Sequence, residues 1–160
     1  MFERFERIEQ RLSIYDDNFN KLFDAIESKE LKPKQGIFYE GQIFDAYAFV
    51  SELIKSAKKS IILIDNYVDE TVLTMLSKNQ EVQISIYTKT ISKQFKLDLE
   101  KYNSQYKTLT LKEFDLSHDR FLLIDDEIYH IGASLKDLGK KWFGFSKMHK
   151  ESFEIIGRIN

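Results

Sequence analysis

The chain has 160 residues, 42% of them hydrophobic, with 13 Phe and 8 Tyr, enough for one packed domain and a modest extra segment. It has no cysteine, so disulfides and thiolate chemistry are excluded, and its net charge of −2 does not advertise a nucleic-acid partner. No apolar run approaches the roughly 18 residues of a membrane span, and no signal-peptide core opens the sequence. The expectation is a cytoplasmic protein without a membrane partner.

Residues 1–27 are sharply periodic. Met1, Phe5, Ile8, Leu12, Tyr15, Phe19, Leu22 and Ile26 recur at alternating steps of four and three, a heptad seam. Glu3 with Arg7 and Asp17 with Lys21 add favourable pairs one turn apart. The pattern predicts a helix that either self-associates as a coiled coil or lies on its own domain. Ser28 to Gly36, with the single Pro at 33, reads as a linker. The expected units are residues 1–35 and 36–160.

Ile37 to Tyr39 reads as a short strand and Ile43 to Ala57 as a helix with Phe44, Tyr47, Val50, Leu53, Ile54 and Ala57 inward. Ser60 to Ile64 is a continuous apolar run, the pattern of a strand covered on both faces. Helices at 70–78 and 91–106 then alternate with strands at 82–88 and 109–114. Residues 120–124 and 127–131 form a hairpin around Asp125-Asp126, Leu135 to Gly139 makes at most a helical turn, and Trp142 to Met148 is a final strand. This succession predicts an α/β fold with a mixed β-sheet flanked by helices, preceded by the N-terminal amphipathic helix.

The hairpin carries a dense polar pattern: His118, Arg120, Asp125, then Gly132-Ala133-Ser134, spaced His-x-Arg-x4-Asp-x6-Gly-Ala-Ser. Period two places His118 and Arg120 on one side of a strand. An imidazole next to a guanidinium suits attack on a phosphodiester, the cation holding phosphate oxygens. The plainer alternative is a surface histidine at a strand entry. Residues 134–150 hold five lysines (136, 140, 141, 147 and 150) against Asp137 alone, either a phosphate-binding end or a solvated lysine-rich loop. In open α/β sheets ligands gather beyond the carboxyl ends of parallel strands, which draws in Asp65, Asn66 and Lys89 as binding candidates. Turn chemistry is the competing reading for those three. His130, between Tyr129 and Ile131, reads as a structural histidine, and Asp119 and Asp126 receive no role.

These residues resemble the signature of the phospholipase D-like superfamily, His-x-Lys-x4-Asp-x6-Gly-Ser-x-Asn. Arg120 stands where that pattern has Lys, Ala133 where it has Ser and Leu135 where it has Asn; Ser134 supplies a hydroxyl one place later. Residues 36–147 also resemble the C-terminal domain of bacterial and phage antirepressor-like DNA-binding proteins. The phrases that carry this are Gly41-Gln42-Ile43-Phe44-Asp45-Ala46-Tyr47, Leu63-Ile64-Asp65-Asn66-Tyr67, Ser117-His118-Asp119-Arg120-Phe121 and the run from Gly132 to Lys141. The resemblance implies a phospholipase D-like domain in which His118 is the nucleophile, Asp125 orients an imidazole, and Arg120 and Ser134 hold phosphate oxygens. Apart from the resemblance, position makes Lys136, two residues past Ser134, a candidate replacement for the missing lysine, and Lys140 of the same lysine-rich stretch a candidate binding residue. The resemblance implies no metal and no other cofactor. It also implies a homodimer, since one motif supplies one of two histidines, and an upstream DNA-binding domain that this sequence does not contain. Two functions follow: a nuclease-like phosphodiesterase, or a catalytically impaired dimerisation or phosphate-binding module of a regulator or defence protein.

Overall fold

The computed structural model describes residues 2–30, 34–149 and 152–160, with the backbone alone for 24–30. Met1, the Ile26 side chain, Pro33 and Lys150, all used in the sequence reading, lie outside the described residues. The chain divides into two compact units, Met1–Lys34 and Gln35–Asn160.

The first unit is helix α1, Phe2–Glu30. Its heptad apolar side chains are exposed along their whole described length, from Ile8 at 49% to Tyr15 at 67%.

The second unit is a seven-stranded mixed sheet. Its strands are β1 (Gln35–Phe38), β2 (Ser60–Ile64), β3 (Gln83–Thr88), β4 (Thr110–Glu113), β5 (Arg120–Ile124), β6 (Glu127–Ile131) and β7 (Phe143–Met148), and they lie in the order β1-β7-β6-β5-β2-β3-β4. The β2-β3-β4 half is parallel, because α3 (Glu70–Leu76) and α4 (Lys93–Gln105) carry the chain back between strands. The other half is antiparallel, built from the β5–β6 hairpin, β7 and β1. Residue Asp125 at the hairpin tip has φ 54°, a left-handed conformation that Asp and Asn tolerate better than most side chains.

Helix α2 (Ile43–Ser56) buries Ala46, Val50, Leu53 and Ile54, the i, i+4, i+7, i+8 stripe of a one-sided helix. With Val72 and Leu76 of α3 and Phe95 and Tyr102 of α4, that stripe covers alternate sheet residues: Ile61, Leu63, Ile86, Leu122, Tyr129 and Ile131. Each fully buried aliphatic there contributes about 1.5–3 kcal/mol relative to solvent. Caps define the helix starts: Asp69 accepts from the Thr71 N–H at 3.0 Å, and Ser92 Oγ from the Phe95 N–H at 3.0 Å.

Ile64, Tyr87, Leu123 and Ile128 are buried too, but on the opposite sheet face. A helix absent from the sequence reading, α5 (Phe153–Ile159), reaches this face, where the Tyr87 hydroxyl donates to Asn160 Oδ1 at 3.4 Å. The predicted α/β class and mixed sheet are those observed. Helix α3 ends at Leu76, two residues earlier than the periodicity suggested.

Gly132 and Gly139 frame the loop between β6 and β7. A Cβ on Gly132 would meet the Gly144 carbonyl at 2.8 Å, and the Gly132 N–H donates to that same carbonyl at 2.8 Å. Gly139, at φ +76°, lies so near the start of α2 that a Cβ would stand 2.6 Å from the Gln42 carbonyl. Both glycines hold the loop of the polar pattern against its neighbours.

Candidate functional site

β2 delivers Asp65 one residue past its last pairing residue, where the backbone turns. The side chain is fully buried. Its Oδ2 accepts from the Leu135 N–H at 2.9 Å and stands 2.9 Å from Ser134 Oγ; its Oδ1 accepts from the Tyr67 N–H at 3.0 Å. Burial pushes the Asp65 carboxyl above its ordinary value, opposed by those two N–H groups, the Ser134 hydroxyl and the Arg120 charge. A buried carboxylate so arranged fixes the loop after β6 onto the end of β2.

Ser134 is thereby engaged. It is 4% exposed, and its hydroxyl also lies 2.6 Å from the Tyr67 carbonyl. Its single proton serves Asp65 or Tyr67, so the residue that the resemblance casts as a phosphate contact is held by the protein itself.

Asn66 reaches the motif from the other direction. Its Nδ2 donates to the Ser117 carbonyl at 3.0 Å, anchoring the segment that enters β5. His118 follows directly and is exposed. Two residues on, Arg120 opens β5 opposite Ile131. Its guanidinium carbon stands 5.9 Å from the centre of the Tyr67 ring, and Lys136 Nζ stands 6.0 Å from the same centre. Two cations thus share one aromatic ring beside a buried carboxylate.

Beyond Arg120 opens a cleft of ≈ 420 Å³. Ser134, Asp137, Lys140, Lys141 and Trp142 contribute to its wall together with Arg120. Asp137 pairs with Lys140 at 2.9 Å and with Lys136 at 3.8 Å. Trp142 is two-thirds exposed; its indole N–H donates to Glu40 and its ring meets Tyr39 edge-on at 4.7 Å between centroids.

Asp125 is not brought to this cluster. It follows the last residue of β5 while His118 precedes the first, a separation of about 17 Å between Arg120 and Asp125 at the usual rise per strand residue. Its Oδ1 accepts from the N–H groups of Lys59 at 2.6 Å and of Lys58 and Ser60 at 3.1 Å. Burial raises its pKa, but these backbone donors and the Lys59 charge outweigh that and lower it. In this geometry the carboxylate closes the turn between α2 and β2 rather than orienting an imidazole. Lys89 follows β3, one strand further from the hairpin than Asp65, and is exposed.

His130 lies on the opposite sheet face from Arg120. Its Nε2 is 3.1 Å from Asp119 Oδ2, and its ring meets Phe121 edge-on at 5.7 Å between centroids. Asp119 is thus the hydrogen-bonding partner of His130.

The sequence reading missed Tyr67 and Trp142 as site residues. Tyr67 had a signal, because it follows the polar end of β2 by two residues. Trp142 had none, because its position depends on the fold of the loop closed by Gly139.

No family model matches the chain, and no curated protein matches it. Solved structures do. The archaeal chromatin protein TrmBL2, described as showing a novel mode of DNA binding, is 14% identical with a TM-score of 0.50; the match covers 96% of this chain and 60% of that one. NucT from Helicobacter pylori is 12% identical with a TM-score of 0.55, covering 79% and 91% respectively. Phosphatidylserine synthase from Haemophilus influenzae Rd KW20 is 13% identical with a TM-score of 0.53, covering 83% and 39%. The chain therefore spans 60% of the length of the first and 39% of the third. At these identities the likeness is one of fold: an α/β domain with a mixed sheet flanked by helices.

Proposed function

We propose that the chain is a nuclease-like phosphodiesterase domain of a phage-related DNA-binding protein of the cytoplasm, acting as a homodimer in which two copies of His118 face one phosphate. The observation that supports this best is the convergence of Arg120 and Lys136 on the Tyr67 ring, next to a cleft walled by Lys140 and Lys141. Fixed cations at such a place bind phosphate oxygens and stabilise the charge that builds up during phosphoryl transfer. The His118 imidazole nitrogen would attack phosphorus and form a phosphohistidine as the bond to the leaving oxygen breaks. The partner's His118 would protonate that oxygen, then take a proton from the water that hydrolyses the adduct. Asn66, by anchoring Ser117, serves as a positioning residue for His118. The DNA-binding domain expected upstream would deliver the substrate.

A second reading is a phosphate-binding and dimerisation module without turnover. It is favoured by the engagement of the Ser134 hydroxyl with Asp65 and Tyr67, and by arginine at position 120, whose planar fork binds phosphate well but is not a compact point charge.

The test is cleavage of labelled single- and double-stranded oligonucleotides in chelator, comparing the native chain with His118→Ala. Cleavage lost in the variant supports the enzyme. Cleavage that survives removes His118 as nucleophile. Binding without cleavage by the native chain selects the second reading.

A further inference from the structure

The apolar seam of α1 leaves Phe5, Ile8, Leu12, Tyr15, Phe19 and Leu22 at 49–67% exposure. A 29-residue helix with such a seam needs a partner, and its charges say which one. With Phe5, Leu12 and Phe19 at heptad position a and Ile8, Tyr15 and Leu22 at d, the g positions are Arg4, Arg11 and Asn18 and the e positions Phe2, Glu9, Asp16 and Phe23, of which Arg4, Arg11, Glu9 and Asp16 are the four charged residues. All four are exposed, and none forms an ion pair among the described residues.

In a parallel, in-register pair, a g residue faces the partner's e residue five positions later. Arg4 then meets Glu9 of the partner subunit and Arg11 meets Asp16 of the partner subunit, and two-fold symmetry gives four attractive contacts. In an antiparallel pair with the seams overlapped, g faces g and e faces e, so Arg11 meets Asn18 of the partner subunit and Glu9 meets Asp16 of the partner subunit: the attractive contacts are lost and two carboxylates are opposed. We infer that α1 pairs with α1 of a second copy as a parallel, in-register, two-stranded coiled coil.

Direction has a consequence for the site. At 1.5 Å per residue α1 is about 44 Å long, so antiparallel pairing would send the two following domains to opposite ends of that length. Parallel pairing starts both domains from the same end, the arrangement that two His118 side chains sharing one phosphate require. The number of strands rests on the two-copy reading above. The test reads chain pairing and not cleavage, so either can fail without the other.

The full chain has no cysteine, so a single one reports on register. On mild oxidation, Leu12→Cys at the seam is expected to give a disulfide-linked dimer, whereas Gln10→Cys on the outer face gives little. Reversing the g charges with Arg4→Glu and Arg11→Glu is expected to weaken the dimer by roughly tenfold or more in sedimentation equilibrium. Adding Glu9→Arg and Asp16→Arg to the same chain is expected to restore it, which separates charge from misfolding. No disulfide at position 12, an unchanged dissociation constant in the g-reversed chain, or a native mass of three or more chains would overturn the inference.

Discussion

Ser134 Oγ lies 2.9 Å from Asp65 Oδ2, a contact between residues 69 positions apart that ties the loop after β6 to the end of β2. The tied loop carries Lys136 to the Tyr67 ring, which Arg120 reaches from the start of β5.

The two buried or capped aspartates carry opposite pH signatures. Burial raises the Asp65 pKa in the folded chain, against the help of its hydrogen bonds and Arg120. The folded state then holds the proton more tightly than the unfolded state. Stability from this group is complete below the unfolded pKa and is lost as pH rises through the folded one. Urea unfolding of Asp65→Asn is expected to show a deficit of about 1–3 kcal/mol at acid pH, and the deficit narrows toward neutrality.

Asp125 behaves the other way. Burial raises its pKa, but the Lys59, Lys58 and Ser60 N–H groups and the Lys59 charge bring it below the ordinary value. Its contribution is present above the unfolded pKa and is lost as pH falls through the folded one. Asp125→Asn, which keeps a side chain suited to φ 54°, is expected to cost most near neutral pH and progressively less on acidification. His118-dependent cleavage, measured where the variant is folded, is expected to survive it.

Gly132→Ala would place a methyl group 2.8 Å from the Gly144 carbonyl, within the hydrogen-bonded approach of β6 to β7. A loss of about 1–3 kcal/mol is expected from thermal or urea unfolding, since backbone rather than a flexible side chain must give way.

Trp142 is the chain's only tryptophan and lies in the cleft wall, so its emission reports directly on occupancy. Titration with an oligonucleotide is expected to change the emission. Lys140→Ala with Lys141→Ala is expected to weaken binding and reduce the salt dependence by about one counterion per lost phosphate contact.

The strands and the parallel half were legible because apolar runs such as Ser60 to Ile64 need cover on both faces, which only a sheet between layers supplies. The approach of Asp65 and Asn66 to the hairpin was legible from the strand-end rule. Asp125 shows the limit. Its spacing from His118 is a property of the β5 strand, and a strand of five residues puts its two ends far apart; a linear pattern does not say which end faces the ligand. Helix α5 was missed because Ser152 makes no side-chain cap and the helix spans only seven residues. Tyr67 and Trp142 join the site through tertiary contacts made by loops, which have no periodicity to read.

If His118 is the attacking group, turnover passes through a phosphoryl adduct on its imidazole. Quenching the full chain during turnover of a phosphodiester in chelator, and mapping the bound phosphoryl group by mass spectrometry under conditions that preserve phosphoramidates, detects it directly. An acid-labile adduct on His118 is expected, absent together with cleavage in His118→Ala. Cleavage that proceeds at the native rate in His118→Ala, with no adduct on the native chain, would contradict it.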